Sequence, residues 1–421
     1  MNIKLRLKTM LFLQYFIWGS WLITFGAYMM GTLKFTGMDV GFVYSSKGLA
    51  ALLMPSIIGI IADKFVPAKY LYMLCHAVGC ISFFYAASVS DPTVMFWVML
   101  VNMFAFMPTL SLSNSISYYC LEKNNLDSVA NFPKIRVFGT VGFVAAMWAI
   151  SLLKYELSNM QLYIASTVSL LLVVYSSTLP YIPVVKKTAQ TWGARLGLDA
   201  FVLFKKPTML VFFLFAMLLG AVLQITNTFG SPFLHDFAKI PEFKNSLVVQ
   251  YPSILLSVSQ LAEIGFILAI PFFLRKFGIK TVMIMSMVAW TLRFGLFAFG
   301  DPSPIGFTLL LLSMIVYGCA FDFFNISGSI FIEKEVSPSI RASAQGLFMT
   351  AVNGLGAYIG ALTSGKIIDI FTYDGMRNWN AIWLIFAAYS LLLAIIFYFT
   401  FNYNSTETCH KKSMISSNIS N

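Results

Sequence analysis

The sequence predicts an all-α polytopic membrane protein with twelve transmembrane helices. Of its 421 residues, 58% are hydrophobic and only 11% are charged, whereas soluble domains are about 45–50% apolar and about 25% charged. Apolar runs of about 20 residues, the length that spans a bilayer, recur along the whole chain. Lysines and arginines are concentrated in alternate connections between these runs. A soluble core could not bury this much apolar surface, so lipid must solvate much of it.

The predicted helices follow the apolar runs in chain order. They cover residues 10–31, 41–62, 70–90, 94–119, 135–154, 160–182, 208–229, 250–273, 280–299, 304–331, 342–370 and 380–402. The first run follows three cations, as in a signal peptide, but it is too long and lacks a small-residue cleavage site. We therefore expect an uncleaved first membrane helix.

Orientation follows from the distribution of basic residues. With the N-terminus inside, the inner segments carry twenty of the 28 lysines and arginines and the outer loops carry five. Basic residues are retained on the cytoplasmic side of membrane proteins, so both termini are predicted to be cytoplasmic. The net charge of +11 thus reflects membrane topology, and no nucleic-acid partner is expected.

Two similar loops divide the chain. PSIIGIIADKFVPAK follows the second predicted helix and IPFFLRKFGIK follows the eighth, half the chain later. This indicates a six-helix half at 1–184, a cytoplasmic linker at 185–207 with a short amphipathic helix over 196–204, a second half at 208–402 and a polar tail at 403–421. The first loop, with Gly59, Asp63 and Lys64, resembles the G-x-x-x-D-[RK] signature of the major facilitator superfamily. An ordinary turn with inner-side charges is the alternative.

The stretch YGCAFDFFNISGS places polar groups inside the tenth apolar run. At roughly 100° per residue, Tyr317, Phe321, Asp322, Asn325 and Ser329 share an arc of about 140°. An aspartate at mid-membrane costs about 2.5–3.5 kcal/mol on insertion scales. Such a residue indicates a functional site.

Three other predicted helices carry stripes at the same helical spacing. They are Arg136, Thr140 and Phe143 in the fifth, Gly220, Gln224 and Asn227 in the seventh, and Ser253, Ser257, Gln260 and Glu263 in the eighth. Polar stripes in lipid must face protein or a water-filled cavity. Four of them predict a central cavity, although single amides can also serve only to join helices, at about 0.6 kcal/mol each.

The two carboxylates, Asp322 and Glu263, are costlier to bury than amides. Burial favours the protonated form of an acid, which is what a proton-coupling site needs. Arg136 and Arg293 are alternative partners that would neutralise an acid permanently. Arg293 is also a candidate for helix pairing, and we expect Lys47 to extend towards the membrane surface or a loop.

The cavity chemistry fits a neutral, polar, ring-bearing solute. Amides and an acid offer hydrogen bonds, and stacking of a nucleobase on an aromatic ring is worth about 1–3 kcal/mol in single-strand binders. A sugar would need the same groups, so nucleoside and sugar both remain open. No nucleophile–base pair, metal-ligand spacing or phosphate-binding loop is found, so we expect no enzyme activity, no metal and no cofactor other than the coupling proton.

Long segments resemble the bacterial nucleoside:H+ symporter family. They are FLQYFIWGSWL, VYSSKGLAALLMP, ADKFVPAKY, PKIRVFGTVGF, LGAVLQITNTFG, SQLAEIGFILAIPFFL and YGCAFDFFNISGSIFIEKEVSPSIRASAQG, and they cover essentially the whole chain. The resemblance implies a monomer that takes up nucleosides with protons across a bacterial inner membrane. VYSSKG, ASVSDPTVMFWVMLVN and YPSILLSVSQLAE favour xanthosine and related nucleosides, with a broader nucleoside range as the near alternative.

The resemblance also implies a central site on the helices already singled out. It assigns nucleoside binding to Arg136, Thr140, Phe143, Gln224, Asn227, Gln260, Glu263, Tyr317 and Phe321, to which the polar arc adds Asn325, and it includes Asp322. We expect alternating access with Asp322 as the main proton carrier and Glu263 sharing that role. A sugar:H+ symporter and a sensor that binds without transport are the remaining alternatives.

Overall fold

The computed structural model describes residues 2–64, 66–181, 198–338 and 340–403, with only the backbone for 55–64, 129 and 198. The described α-helices are α1 (Ile3–Gly19), α2 (Phe25–Gly31), α3 (Gly37–Lys64), α4 (Ala68–Ala86), α5 (Pro92–Lys123), α6 (Ser128–Leu152), α7 (Met160–Ser177), α8 (Pro207–Asp236), α9 (Leu247–Gln250), α10 (Pro252–Phe299), α11 (Pro304–Glu335), α12 (Arg341–Met349), α13 (Ala357–Ile370) and α14 (Trp379–Thr400).

Short elements complete the described chain. A π-helical turn, Thr350–Gly356, joins α12 to α13, and the strands β1 (Thr372–Tyr373) and β2 (Met376–Arg377) pair in antiparallel fashion. Short 3₁₀ helices are Leu198–Lys205, Phe237–Lys239 and Pro241–Phe243. The first of them overlaps the amphipathic helix expected at 196–204. Residues 182–184 of the first half, 185–197 of the linker and 404–421 of the tail lie outside the described residues.

Prolines and capping side chains determine where several helices begin. Proline is the first residue of α5, α8, α10 and α11, where its missing N–H is not needed. The Asp91 carboxylate accepts the Val94 N–H at 2.8 Å before α5, and the Ser303 hydroxyl accepts the Gly306 N–H before α11. Each such cap satisfies a backbone donor that the helix itself leaves free.

The prediction of one continuous helix over 10–31 is wrong. The chain forms α1 and α2, separated by a turn at residues 20–24. In this turn the Ser20 hydroxyl donates to the Ile17 carbonyl at 2.8 Å, and the Thr24 hydroxyl donates to the Gln161 side chain at 2.7 Å. Hydroxyl groups that bond in this way compete with regular helix geometry.

α10 is a helical hairpin. Its backbone breaks at Gly278, where φ is 76°, a conformation that side chains with a Cβ rarely adopt. Both of its ends lie near the same end of the molecule, because the Ser253 N–H contacts Glu156 and the Ala298 carbonyl accepts from Asn380. The two arms correspond to the predicted helices at 250–273 and 280–299.

Within the described chain, eight helices are long and apolar enough to cross a membrane, by length and composition, with the two arms of α10 counted as one. They are Pro92–Lys123, Ala130–Leu152, Met160–Ser177, Pro207–Lys239, Pro252–Phe299, Pro304–Glu335, Arg341–Ile370 and Trp379–Thr400. The predicted all-helical class is therefore confirmed.

The helices pack as two groups. α1, α3, α4, α5, α6 and α7 contact one another, as do α8, α10, α11, α13, α14 and the π turn. The second group is centred on stacked aromatic rings, such as Trp383 on Phe294 with 5.7 Å between ring centroids. The two groups meet where α3 lies along α13, α2 along α8 and α6 along α10.

Polar contacts between the two groups are concentrated at one end of the molecule, which we call the closed end. Among the described residues, the contacts there are Asp369 to the Gly37 and Met38 N–H groups, Lys154 to Gln250, and Glu156 to His235 and the Ser253 N–H. One turn deeper, the Trp148 indole donates to the Ser257 hydroxyl at 2.8 Å. The only deeper hydrogen bond between the two groups in the described chain joins Lys47 to Gln224.

Candidate functional site

An aromatic stack forms on α11. The rings of Tyr317 and Phe321 are parallel, with an interplanar angle of 5° and centroids 5.7 Å apart. Arg293, from the second arm of α10, lies 4.6 Å from the Tyr317 ring centroid, and Trp290 meets the same ring edge-on at 5.9 Å. Because Tyr317 is only 5% exposed and is held by neighbours on several sides, its ring is fixed in place, whereas Phe321 is half-buried.

The first arm of α10 approaches this stack through the Gln260 side chain, which lies near the Tyr317 hydroxyl. Tyr317 is buried and Gln260 is half-buried. The polar faces of α10 and α11 therefore face each other.

Two carboxyl groups lie beside the stack. Asp322 is 4% exposed, and its Oδ2 atom has no hydrogen-bond partner among the described residues. Asp322 and Glu263 are close enough to repel each other electrostatically, and no ion pair with a basic side chain holds either of them in the described part of the chain. Two like charges at close range disfavour simultaneous ionisation, so this pair is suited to holding a proton.

Arg136 reaches the same region from the other helix group. Its guanidinium lies 4.2 Å from the centroid of the Tyr15 ring, and it interacts electrostatically with Glu263. Arg136, on α6, and Glu263, on α10, are thus brought towards each other across the two groups. The half-buried position of Arg136 leaves its guanidinium accessible to a ligand.

Gln224 makes the deepest polar contact between the groups. Its Oε1 accepts a hydrogen bond from the Lys47 ammonium at 2.9 Å, and its Nε2 donates to the Thr228 hydroxyl at 2.9 Å. The expectation that Lys47 extends to the surface or a loop is wrong, because its side chain is only 6% exposed.

The remaining predicted residues are less connected. Thr140 and Asn227 are half-buried and Phe143 is 8% exposed. Asn325 donates to the Phe321 carbonyl of its own helix at 2.9 Å, which occupies part of its amide.

The three residues of the loop signature lie near the end of α3. α3 ends at Lys64, so its backbone includes Gly59 and Asp63 as well. The side chains of this stretch fall outside the described residues.

Three residues of this region were not predicted: Tyr15, Trp290 and the buried Lys47. Tyr15 and Lys47 contact residues more than 100 positions away in the chain, so no local periodicity could pair them. Lys47 did carry a signal, since it is a lone cation inside an apolar run.

The all-helical fold, with two acids, amides and an arginine–aromatic stack converging between two helix groups, defines a multi-pass membrane transporter. The sequence profile of the family described as "Nucleoside H+ symporter" matches residues 1–406. The chain belongs to this family, and it is a multi-pass inner-membrane protein.

Relatives of known type are similar over nearly the whole length. Xanthosine permease of Escherichia coli (strain K12) is 69% identical over 405 residues, which are 96% of this chain and 97% of the relative. Nucleoside permease NupG of the same organism is 57% identical over 404 residues, again 96% and 97% of the two chains.

Solved structures agree with the fold. The crystal structure of NupG superposes with a TM-score of 0.92 at 57% identity and covers 96% of this chain and 100% of that one. An inward-facing bacterial homologue of the human lysosomal transporter Spinster gives a TM-score of 0.68 at 15% identity, covering 94% and 96%. The second likeness concerns the fold alone.

Proposed function

We propose that this protein carries nucleosides, xanthosine and related nucleosides first among them, into the bacterial cell together with protons. The observation that carries the proposal is the buried Asp322, whose Oδ2 has no partner in the part of the chain that the structure describes and which lies beside Glu263 and near the aromatic stack. The family and the 69% identical xanthosine permease support the substrate class.

The proposed architecture is two six-helix halves, at 1–184 and 208–402, with both termini in the cytoplasm. The excess of basic residues in the inner segments supports this orientation. With it, the closed end is the outer end, and the structure corresponds to a state open to the cytoplasm. Alternating access then consists of breaking the closed-end contacts and forming others at the opposite end.

In the proposed mechanism a proton binds Asp322, or is shared with Glu263, when the site is loaded. Protonation removes the repulsion between the two acids, which lets the halves close around the nucleoside. Tyr317 and Phe321 stack against the base, while Gln260 and Gln224 offer hydrogen bonds.

The remaining site residues complete the proposed binding site. Arg136 faces Glu263 from the other helix group and contributes a positive charge to the site. Thr140, Phe143, Asn227 and Asn325 line the site, and the signature residues Gly59, Asp63 and Lys64 act in the conformational change. The protein works as a monomer in the bilayer.

The test is uptake of labelled xanthosine and uridine into proteoliposomes, with and without an inward proton gradient. Asp322→Asn should abolish gradient-driven accumulation and retain gradient-free exchange, because the amide keeps the shape but binds no proton. Asp91→Asn is the matched control, since asparagine caps α5 as well as aspartate does.

Unchanged gradient dependence in Asp322→Asn would assign coupling to Glu263, for which Glu263→Gln is the next variant. If the wild type takes up neither nucleoside, the substrate assignment fails and sugars are tested next.

A further inference from the structure

Lys47 is a buried cation that the transport mechanism above does not use. Its ammonium group has three N–H donors, of which the structure pairs one with Gln224. Within the described ranges, no carboxylate forms an ion pair with it. A buried charge without a counter-charge is disfavoured unless something else compensates it, and a bound ligand is one source of compensation.

The position of Lys47 matches that of the candidate site. Counted from the helix ends that meet at the closed end, Lys47, Gln224 and Glu263 lie ten, twelve and eleven residues inside α3, α8 and α10. At about 1.5 Å per residue, all three are roughly 15–18 Å from that end. This depth is half of a hydrocarbon thickness of about 30 Å, so Lys47 lies near the membrane midplane at the level of the site.

Lys47 also fixes the orientation of Gln224. The Gln224 Oε1 faces the ammonium and its Nε2 faces the Thr228 hydroxyl. Rotating the amide by half a turn would place its NH₂ group against the ammonium, which offers only donors. The close approach of α8 to the π turn, where the Gly220 Cα lies against the Val352 carbonyl, leaves the helix carrying Gln224 little freedom to shift.

The chemistry of purine nucleosides gives such a cation a purpose. Xanthosine has carbonyl groups at both C2 and C6 of its base, and its ring N–H is acidic enough to ionise near neutral pH. The resulting negative charge is shared between ring nitrogen and carbonyl oxygen. Uridine and inosine remain neutral under the same conditions, so a fixed ammonium group distinguishes xanthosine from both.

We propose that Lys47 determines the base preference of the central site, with its ammonium binding the acidic purine dione directly while it holds Gln224 in register. This inference rests on the proposed nucleoside transport and extends it to one residue. It makes Lys47 a specificity residue contributed by the first half to a site whose amides come largely from the second.

The experiment measures gradient-free exchange of labelled xanthosine and uridine by the full-length protein in proteoliposomes, at pH values on either side of the ionisation of xanthosine. The variants are Lys47→Met and Lys47→Arg. Lys366→Met is the matched control, because Lys366 also interrupts an apolar run but its side chain is exposed.

In the wild type, the half-saturating concentration of xanthosine should fall as the nucleoside ionises, while that of uridine stays constant. Lys47→Met should weaken xanthosine on the order of tenfold, the loss of one charge-assisted hydrogen bond, and should abolish the pH effect. Uridine should be weakened much less, because it loses only the fixed orientation of Gln224 and no charged contact. Lys47→Arg should restore part of the preference, and Lys366→Met should behave as wild type.

Three results would overturn the inference. Equal loss of xanthosine and uridine exchange in Lys47→Met would make Lys47 a structural residue. Unchanged xanthosine exchange would show that Lys47 has no role in base preference. Loss of gradient-driven accumulation with base preference intact would make it a coupling residue. Absence of both nucleosides from wild-type vesicles is a different failure, that of the proposed function itself.

Discussion

The contact between Glu156 and His235 offers a direct test of what holds the closed end together. Glu156, in the connection between α6 and α7, is 4% exposed. Its Oε2 lies 2.8 Å from the His235 Nε2 at the end of α8, and its Oε1 accepts the Ser253 N–H at 3.2 Å. One carboxylate thus binds two helices of the other group, and Glu156→Gln should weaken the closed end.

The magnitude follows from the two bonds. A hydrogen bond to a charged group contributes about 1.5–3 kcal/mol. Glutamine keeps one acceptor oxygen of the same shape, so we expect it to preserve one contact and lose the other. A loss of about 1.5–3 kcal/mol corresponds to a change of roughly 10- to 150-fold in the ratio of open to closed molecules at this end.

The assay is the distance between two spin labels across the closed end, attached at the exposed Leu153 and Leu247, whose side chains are 54% and 71% exposed. Glu156→Gln should move population from the short to the long distance. Glu242→Gln, at an exposed site of the same surface, should leave the distribution unchanged. Identical distributions for wild type and Glu156→Gln would refute the argument.

The pH dependence of the closed population has a defined sign. Burial raises the pKa of Glu156, but the hydrogen bond and charge of His235, with the contact from Ser253, outweigh it and hold the pKa below the ordinary 4.5. For an acid with a lowered pKa, the stabilisation is present above the ordinary value and is lost as pH falls through the lowered one. Protonation of Glu156 should therefore leave the closed population unchanged above pH 4.5 and lower it below that pH, and Glu156→Gln should remove that step. An opening that sets in as pH falls, well above this value, and is absent from Glu156→Gln would contradict the assignment.

Two further substitutions probe the contact between the halves with the same spin labels. Gly41→Ala would place a Cβ against the backbone carbonyl of Ala361 on α13, so it should separate α3 from α13 and increase the open population. Gly265→Ala, whose Cβ would meet no atom within 4 Å, should have no effect. Equal distance distributions for the two variants would mean that α3 and α13 adjust freely. Trp148→Phe removes the indole donor to Ser257 and should open the closed end by a few-fold, in line with about 0.5–1.5 kcal/mol per neutral hydrogen bond; no change would show that this bond contributes nothing.

The sequence was informative where residues of the candidate site follow one another at helical spacing. Tyr317 and Phe321 are four residues apart, and the structure stacks their rings, as expected for neighbours on one helix face. The membrane character, the all-helical class and the two arms of α10 also follow from apolar runs and the basic residues between them.

Local patterns could not pair residues that are distant in the chain. Lys47 and Gln224 are 177 positions apart, and a lone lysine in an apolar run is compatible with a side chain at the surface as well as with a buried one. The break between α1 and α2 had a similar cause. Ser20 and Thr24 suit a helix or a turn, and the bond from Thr24 to the distant Gln161 occurs in the turn.

The contacts that join the two groups of helices differ in what replaces them when they break. Asp369, Lys154 and Glu156 lie at the rim, where water can solvate each polar group as soon as its partner leaves, so separation there exchanges one set of hydrogen bonds for another. The bond from Lys47 to Gln224 lies in the low-dielectric interior and has no such substitute. The two side chains can separate only when water or a polar solute fills the space between them. Hydration of the central cavity is therefore a precondition for full separation of the halves, and an empty, dry transporter resists it.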